Sequence, residues 1–167
     1  MTTPILSIVS KKGCGKTTLI EKLLKEFKTR GYKVGTIKHD THGFDMDHEG
    51  KDTWRHKQAG ANGVLISSPW KVTLILDVAE ELWLDELVNK YYQDMDLVIT
   101  EGYKQAAKTQ VEVFQKAKYE TPMYTGENNV IAILSDILLD VNIPCYGLDD
   151  YMPVVDMVET LLLKKSS

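Results

Sequence analysis

The chain has 167 residues, 43% of them apolar and 26% charged, a balance typical of one soluble globular domain spanning residues 1–167. A net charge of -4 gives it no general attraction for nucleic acid or for an anionic membrane, so any anion site has to be local. No apolar run approaches the roughly 18 residues of a membrane span, and no secretory signal is apparent. We expect a cytoplasmic protein with reduced cysteines.

The first strand and the first helix flank a glycine-containing loop. Ile5–Val9 is a short apolar run, which predicts a buried strand. A helix is predicted from about Lys16 because apolar residues recur at helical spacing, and Gly31 fits its carboxyl-terminal stop. Lys33–Lys38 is the second predicted strand. The order strand, helix, strand predicts a parallel pair joined by a right-handed crossover.

The rest of the chain continues the alternation of strands and helices. A polar stretch from His39 to Asp52 has no clear period, which indicates a functional loop, and Asp52 is the expected cap of the next helix. Gln110–Gln115 alternates in character, which predicts a half-buried strand. The other predicted elements are a helix from Asp52 to about Gly60, strands over Gly63–Ser67 and Val72–Leu76, a helix over Trp83–Gln93, strands over Leu97–Thr100 and Val130–Leu134, and a helix over Tyr151–Leu163. The order predicts one α/β domain with a mainly parallel sheet flanked by helices.

The loop Ser10–Thr18 reads S-K-K-G-C-G-K-T-T, close to the phosphate-binding pattern G-x-x-x-x-G-K-[ST] except that a serine stands at the first glycine. Gly13 and Gly15 allow the backbone amides to turn inward around a phosphate. Lys16 would contact the β- and γ-phosphates, and the Thr17 hydroxyl would ligate magnesium. The predicted nucleotide-binding residues here are Lys12, Gly13, Cys14, Gly15, Lys16, Thr17 and Thr18. The loop therefore predicts a site for a nucleoside triphosphate with Mg²⁺.

Two carboxylates flank the predicted strand Leu97–Thr100, Asp96 before it and Glu101 after it. Ligands of an open parallel sheet collect at the carboxyl ends of its strands. A rise of about 3.3 Å per residue puts Asp96 at the wrong edge. Glu101 is therefore predicted to hold a magnesium-bound water or to orient the attacking water, and we assign catalytic roles to Glu101 and Lys16. The alternative is a solvated charge at the end of a strand.

All four histidines fall between His39 and His56, interleaved with lysines and carboxylates. The stretch begins where the second strand ends, at the edge of the sheet that carries the phosphate loop. It is a candidate pocket for a second phosphorylated ligand, with Lys38, His39, Asp40, His42, Asp52 and Arg55 as the candidate residues. A solvated polar loop is one alternative. A zinc site at His39 and His42 is another, disfavoured because no cysteine lies near in sequence.

Five blocks of sequence follow one another in a specific order: Ser10–Ile20, Thr36–Gly43, Gly50–Arg55 with Ala59–Ala61, Asp96–Lys104 and Val111–Val113. Together they resemble the molybdopterin-guanine dinucleotide biosynthesis protein B (MobB) family over nearly the whole chain. Many families share the phosphate loop, whereas the second and third blocks in this order are far more specific.

The resemblance implies a P-loop NTPase-like fold, GTP and Mg²⁺ as cofactors, a homodimer and a role in molybdenum cofactor maturation. It also implies two further partners: molybdopterin or its dinucleotide form, and the nucleotidyltransferase, protein A, that attaches GMP to molybdopterin. The implied GTP hydrolysis is weak. The chain departs from the family at Gln110 and Gln115, where basic residues are expected. This strand is a candidate for extending a sheet across the dimer.

Guanine recognition lacks its common motif, because Asn89-Lys90-Tyr91-Tyr92 has no aspartate and lies in a predicted helix. Asp136 follows the predicted strand Val130–Leu134, and we predict that it takes the place of the missing aspartate in guanine recognition. A carboxylate there would accept from the N1 and N2 hydrogens of guanine, and adenine offers no such donor pair. The alternative for Asp136 is a cap of a turn or helix.

The leading functional hypothesis is a GTP-binding accessory protein of molybdenum cofactor synthesis, at most a slow magnesium-dependent GTPase. The chain has only two arginines, and Arg30 falls near the far end of the first helix. Unless Arg55 reaches the site, no arginine supports phosphoryl-transfer charge, and slow hydrolysis is predicted. A small-molecule kinase is one alternative, and it would need a lid with arginines. A metal-insertion GTPase is the other, and it would favour a tail rich in histidine or cysteine.

Overall fold

A computed structural model of the protein describes residues 2–40, 42–103, 109–127 and 129–163, so Thr41 and Lys104 of the blocks above lie outside the described residues. The elements in chain order are β1 (Ile5–Val9), α1 (Lys16–Thr29), β2 (Val34–Lys38), α2 (Asp52–Gln58), β3 (Gly63–Ser68), β4 (Lys71–Leu76), α3 (Leu84–Tyr91), β5 (Leu97–Glu101), β6 (Thr109–Phe114), β7 (Val130–Ser135), β8 (Cys145–Gly147) and α4 (Met152–Val158), which continues into a π-helical turn (Glu159–Leu163). The short strand β8 was not predicted.

The chain divides into two compact units. The larger comprises Met1–His39 with Leu84–Ser167, and the smaller comprises Asp40–Trp83. Whether they act as the single domain predicted for residues 1–167 stays a prediction. Among the described helices, none has the length and apolar character needed to cross a membrane.

The larger unit is built on a six-stranded sheet of order β2-β5-β1-β6-β7-β8, in which every pair is parallel. Helices cover both faces, as alternate residues of β5 demonstrate. Ile99 is buried in the cluster that includes Phe27 of α1 and Val155 of α4, whereas Val98 is buried with Val88 of α3. This alternation confirms the predicted parallel sheet flanked by helices.

Helix α1 ends as its sequence predicts. Gly31 adopts a left-handed φ of 86°, and its amide donates to the Lys28 carbonyl while the Tyr32 amide donates to the Phe27 carbonyl. These two bonds close a Schellman motif, in which a glycine carries the positive φ that ends the helix. The chain then enters β2 beside β5.

The prediction of a half-buried strand at Gln110–Gln115 is wrong. Strand β6 lies between β1 and β7, and Val111, Glu112 and Phe114 are all buried, since helices cover both faces of a central parallel strand. Because both edges of β6 are already paired, it also cannot extend a sheet across a dimer. The polar residue that produces the alternation, Glu112, is a buried carboxylate and does not mark a solvated face of the strand.

The smaller unit contains α2 and an antiparallel hairpin of β3 and β4, paired from Gly63 with Leu76 to Ser68 with Lys71. Asp52 is the first residue of α2 and Lys51 occupies the N-cap, so the predicted Asp52 cap is wrong. The hairpin leaves large apolar side chains exposed: Leu65, Ile66, Trp70, Val72, Leu74 and Leu76.

Candidate nucleotide-binding site

The phosphate loop connects β1 to α1 through two glycines with left-handed backbone. Gly13 has a φ of 78° and Gly15, the N-cap of α1, has a φ of 94°. Ser10 at the first motif position does not adopt a positive φ, so a serine fits there without strain. Its buried hydroxyl donates to the Lys11 carbonyl at 2.6 Å. The departure from the usual glycine therefore leaves the turn intact.

Lys16, the first residue of α1, is half-buried beside the loop, where its ammonium donates to the Ser10 hydroxyl at 3.1 Å. This contact holds the side chain along the loop. The amino terminus of the 14-residue helix α1 adds free amides and a positive dipole end at the same place. The predicted phosphate-binding lysine thus stands beside a set of amide donors.

Thr17 and Glu101 lie side by side. The Thr17 hydroxyl is 3.2 and 3.1 Å from the two carboxylate oxygens of Glu101, which is the last residue of β5. Hydroxyl and carboxylate oxygens are the hard ligands that suit magnesium, so this pair fits the ion implied by the motif. Asp96 lies at the opposite end of β5 and accepts the Lys33 amide at 2.7 Å.

A second segment, residues 115–121 after β6, contacts the phosphate loop along its carbonyl groups. Gln115 Nε2 donates to the Cys14 carbonyl at 3.3 Å, Lys118 donates to the Gly13 carbonyl, and the Tyr119 hydroxyl donates to the Lys12 carbonyl at 2.9 Å. We call residues 115–121 the strap. Because the strap binds the carbonyl groups of the loop, the amide groups of the loop are left to bind a phosphate. Sequence reasoning missed the strap because its partners lie about 100 residues away in the chain.

Glu112 anchors the chain just beyond the strap. It is 2% exposed, and its two carboxylate oxygens accept the amides of Met123 at 2.6 Å and Tyr124 at 2.8 Å. Burial raises the pKa of Glu112 above its usual value, although the two amides oppose the shift. The sequence analysis did not single out Glu112, although a carboxylate in the middle of an apolar strand is the signal that could have found it.

Asp136 lies one residue beyond β7 and is exposed. Its oxygens accept the backbone amides of Lys116 at 2.7 Å and Ala117 at 3.3 Å, and the Lys116 amide is the main cause of a lowered pKa for Asp136. In this arrangement Asp136 holds the strap. Its role in reading guanine stays a prediction.

The second-ligand candidates fall in both units. Lys38 ends β2 opposite Glu101 in the sheet register, and the His39 ring stacks on Tyr103 with centroids 4.6 Å apart. Asp40 accepts the His42 amide at 2.9 Å, which closes a local turn in the smaller unit. Asp52 and Arg55 are exposed on α2 of that unit. Only Lys38 and His39 belong to the unit with the phosphate loop, and the shared pocket stays a prediction.

Both cysteines are free thiols, Cys14 buried in the phosphate loop and Cys145 half-buried in β8. Across the described ranges, no group of three or more histidine, cysteine or acidic side chains is placed to hold a metal.

Comparisons with known proteins identify the fold and its relatives. A crystal structure of molybdopterin-guanine biosynthesis protein B superposes with a TM-score of 0.77 at 31% identity, covering 95% of this chain and 99% of that one. The P-loop NTPase-like fold predicted above is thereby confirmed.

Related sequences agree with the structural match. The molybdopterin-guanine dinucleotide biosynthesis adapter protein of Haemophilus influenzae is 29% identical over 160 residues, covering 95% of this chain and 89% of the relative. The protein of the same description in Escherichia coli is 29% identical over 167 residues, covering 98% and 95%. The family pattern of molybdopterin guanine dinucleotide synthesis protein B matches residues 5–136. This chain therefore belongs to the molybdopterin guanine dinucleotide synthesis protein B family.

Proposed function

We propose that this protein is a GTP-binding adapter in the synthesis of molybdopterin guanine dinucleotide. It would bind GTP with magnesium and work beside the nucleotidyltransferase that attaches GMP to molybdopterin. The names of its relatives support the pathway. The observation that carries nucleotide binding is the contact of Thr17 with Glu101 at the mouth of the glycine loop.

The residues divide the work of binding by charge and chemistry. Amides of the phosphate loop would surround the phosphates, and the Lys16 ammonium, which contacts the Ser10 hydroxyl, would bind a phosphate oxygen. Thr17 and Glu101 would supply oxygen ligands to magnesium or to its waters, and the bound ion would offset phosphate charge. The strap keeps the loop in its cradle shape from outside.

Hydrolysis by this protein is slow in our proposal, with Glu101 orienting water and Lys16 stabilising charge. Arg30 is unavailable for catalysis because it pairs with Glu26, Asp156 and Glu159 at the far end of α1. These partners also raise the pKa of Arg30, with the Glu26 hydrogen bond as the largest cause. P-loop proteins turn over slowly without an arginine at the phosphates, so hydrolysis stays slow unless Arg55 reaches them. This small set of catalytic groups suits an adapter that binds and carries a nucleotide better than it suits a fast hydrolase.

Molybdopterin, or its dinucleotide form, is the second ligand in this proposal. Lys38 ends β2 directly opposite Glu101, so its ammonium group belongs to the same sheet edge as the phosphate loop. A lysine at that edge provides a positive charge for the phosphate of a pterin next to the nucleotide. His39 follows it and stacks against Tyr103, which holds one aromatic surface at this edge.

Calorimetric titration with GTP and magnesium tests the proposal. We expect Lys16→Ala to weaken binding by roughly 100-fold, since a desolvated charge contact to phosphate is lost. Lys25→Ala, on the exposed face of α1, is the matched control and keeps the parent affinity.

Binding by Lys16→Ala as tight as that of the parent would refute the assigned site. Product analysis with GTP, ATP and candidate acceptors then separates the functions. Slow phosphate release alone supports the adapter, whereas a phosphorylated acceptor would identify a kinase.

A further inference from the structure

A cavity of about 210 Å³ opens next to the phosphate loop in the larger unit. Its walls are mostly apolar, formed by Cys14, Leu19, Val113, Leu134 and Leu148, and its polar groups include Thr18, Lys22 and Asp149. An apolar pocket with a few convergent polar groups is the usual form of a small-molecule site. The function proposed above assigns no ligand to this cavity.

The order of the sheet decides which part of a nucleotide meets the cavity. β1 and the phosphate loop lie in the middle, with β5 and Glu101 on one side and β6, β7 and β8 on the other. The cavity lies on the second side, where β6, β7 and the turn after β8 contribute walls. If the loop holds the phosphates and Glu101 holds the magnesium, the nucleoside would extend to the other side of the loop, toward the cavity.

Asp149 is the carboxylate at this cavity. Its Oδ1 accepts the Lys22 ammonium at 2.6 Å, and its side chain is 97% exposed. Lys22 also lies over the Tyr151 ring, with its nitrogen 5.8 Å from the centroid. The ion pair uses one of the roughly four acceptor positions of the carboxylate, so Asp149 can accept further donors.

We propose that Asp149 reads the guanine base of the nucleotide, accepting its N1 and N2 hydrogens at the rim of this cavity. The inference rests on the proposed GTP binding and replaces Asp136 in that role. Asp136 lines a separate cavity with Ser135 and Tyr146, whereas Asp149 lines the cavity next to the phosphate loop. The hydrogen bond from Lys22 holds the pKa of the Asp149 carboxyl below its usual value.

The test is a change of base preference. An amide side chain donates where a carboxylate accepts, and xanthine carries a carbonyl where guanine carries the N2 amino group. Asp149→Asn should therefore weaken GTP binding by at least roughly tenfold and strengthen xanthosine triphosphate binding by at least roughly tenfold. Asp150→Asn is the matched control, one residue along, and keeps the parent preference. Competition titrations measure the affinities of the parent and of both variants for GTP, xanthosine triphosphate and ATP.

Each outcome separates this inference from the function on which it rests. If the parent binds GTP and Asp149→Asn keeps the same preference at unchanged thermal stability, the assignment of Asp149 is wrong and GTP binding stands. If Asp136→Asn shows the switch instead, Asp136 is the reader. If neither the parent nor any variant binds a nucleotide, both proposals fail. As a second variant, Asp149→Ala should lose the preference for GTP over ATP without gaining xanthosine triphosphate.

Discussion

Gly15 turns the chain from β1 into α1 with a φ of 94° and a ψ of 22°. A left-handed backbone costs a residue with a Cβ about 1 to 2 kcal/mol, so glycine is needed at this position whatever space surrounds it. Gly13 has the same requirement, whereas Ser10 does not. The phosphate-loop motif is therefore satisfied at the positions where backbone geometry demands glycine.

Glu101 offers the most direct residue-scale prediction. Glu101→Gln should reduce the gain in GTP affinity from magnesium by about tenfold, because a neutral amide attracts the ion and its waters less than a carboxylate does. Binding without magnesium should change little. Titration of GTP with and without the ion measures both quantities.

The control is Glu21→Gln, an exposed carboxylate on α1 away from Thr17. Magnesium dependence in Glu101→Gln equal to that of the parent would remove Glu101 from the metal site.

Among the elements, β6 differs most from its sequence pattern. It is buried on both faces, and its Glu112 fastens residues 123 and 124 to the sheet. The strap lies between β6 and the anchored residues 123 and 124. Three of its side chains, those of Gln115, Lys118 and Tyr119, donate to carbonyls of the phosphate loop. Strand β6 thus belongs to the core and leads directly into the strap, so we expect a change at Glu112 to affect both.

The protonation of Glu112 predicts how stability depends on pH. Its folded-state pKa is raised above 4.5, so the folded protein holds this proton more tightly than the unfolded chain does. Its contribution to stability is complete below the unfolded pKa and is lost as the pH rises through the folded pKa. The stability advantage of the parent over Glu112→Gln should therefore be larger at about pH 4 than at about pH 7. Urea unfolding at both pH values measures it.

Glu120 provides a control of opposite sign. Its hydrogen bond from Lys116 lowers its pKa, so its contribution is present above the unfolded pKa and is lost as the pH falls. Glu120→Gln should therefore remove stability mainly near neutral pH. If the stability advantage of the parent over Glu112→Gln instead grew toward neutral pH, the direction assigned to the pKa shift of Glu112 would be wrong.

At the scale of the molecule, the smaller unit presents an unusual apolar surface. Trp70 at the tip of the β3–β4 hairpin is 95% exposed, and Leu65 and Leu74, which face each other across the hairpin, are 57% and 44% exposed. A two-stranded hairpin is marginal in water by itself, and contiguous apolar patches mark interaction surfaces. We propose that the chain forms a homodimer in which a second copy covers this surface.

Replacing the facing pair tests this proposal. The double variant Leu65→Ser with Leu74→Ser should shift the protein from dimer toward monomer in sedimentation velocity, because apolar contact area is lost. GTP affinity per chain should be unchanged.

Leu138→Ser with Leu161→Ser removes exposed apolar groups from the larger unit and is the matched control. A monomeric parent, or a double hairpin variant that remains a dimer, would count against the hairpin as interface.

The sequence by itself determined the local parts of this protein. The apolar run of β1, the glycines of the loop and the spacing of α1 act within about 25 residues, and they predicted the phosphate loop. The position of Glu101 followed from strand direction alone. Such features follow from backbone sterics and hydrophobic period, which a linear pattern records.

Only the tertiary structure decided which distant groups meet. Gln115 and Tyr119 contact the phosphate loop, and Asp149 pairs with Lys22, across separations of 101, 107 and 127 residues. The burial of Glu112 also depends on β1 and β7 flanking β6. These pairings are set by the order of strands in the sheet, because packing energy depends on neighbours in space that a local sequence pattern does not record.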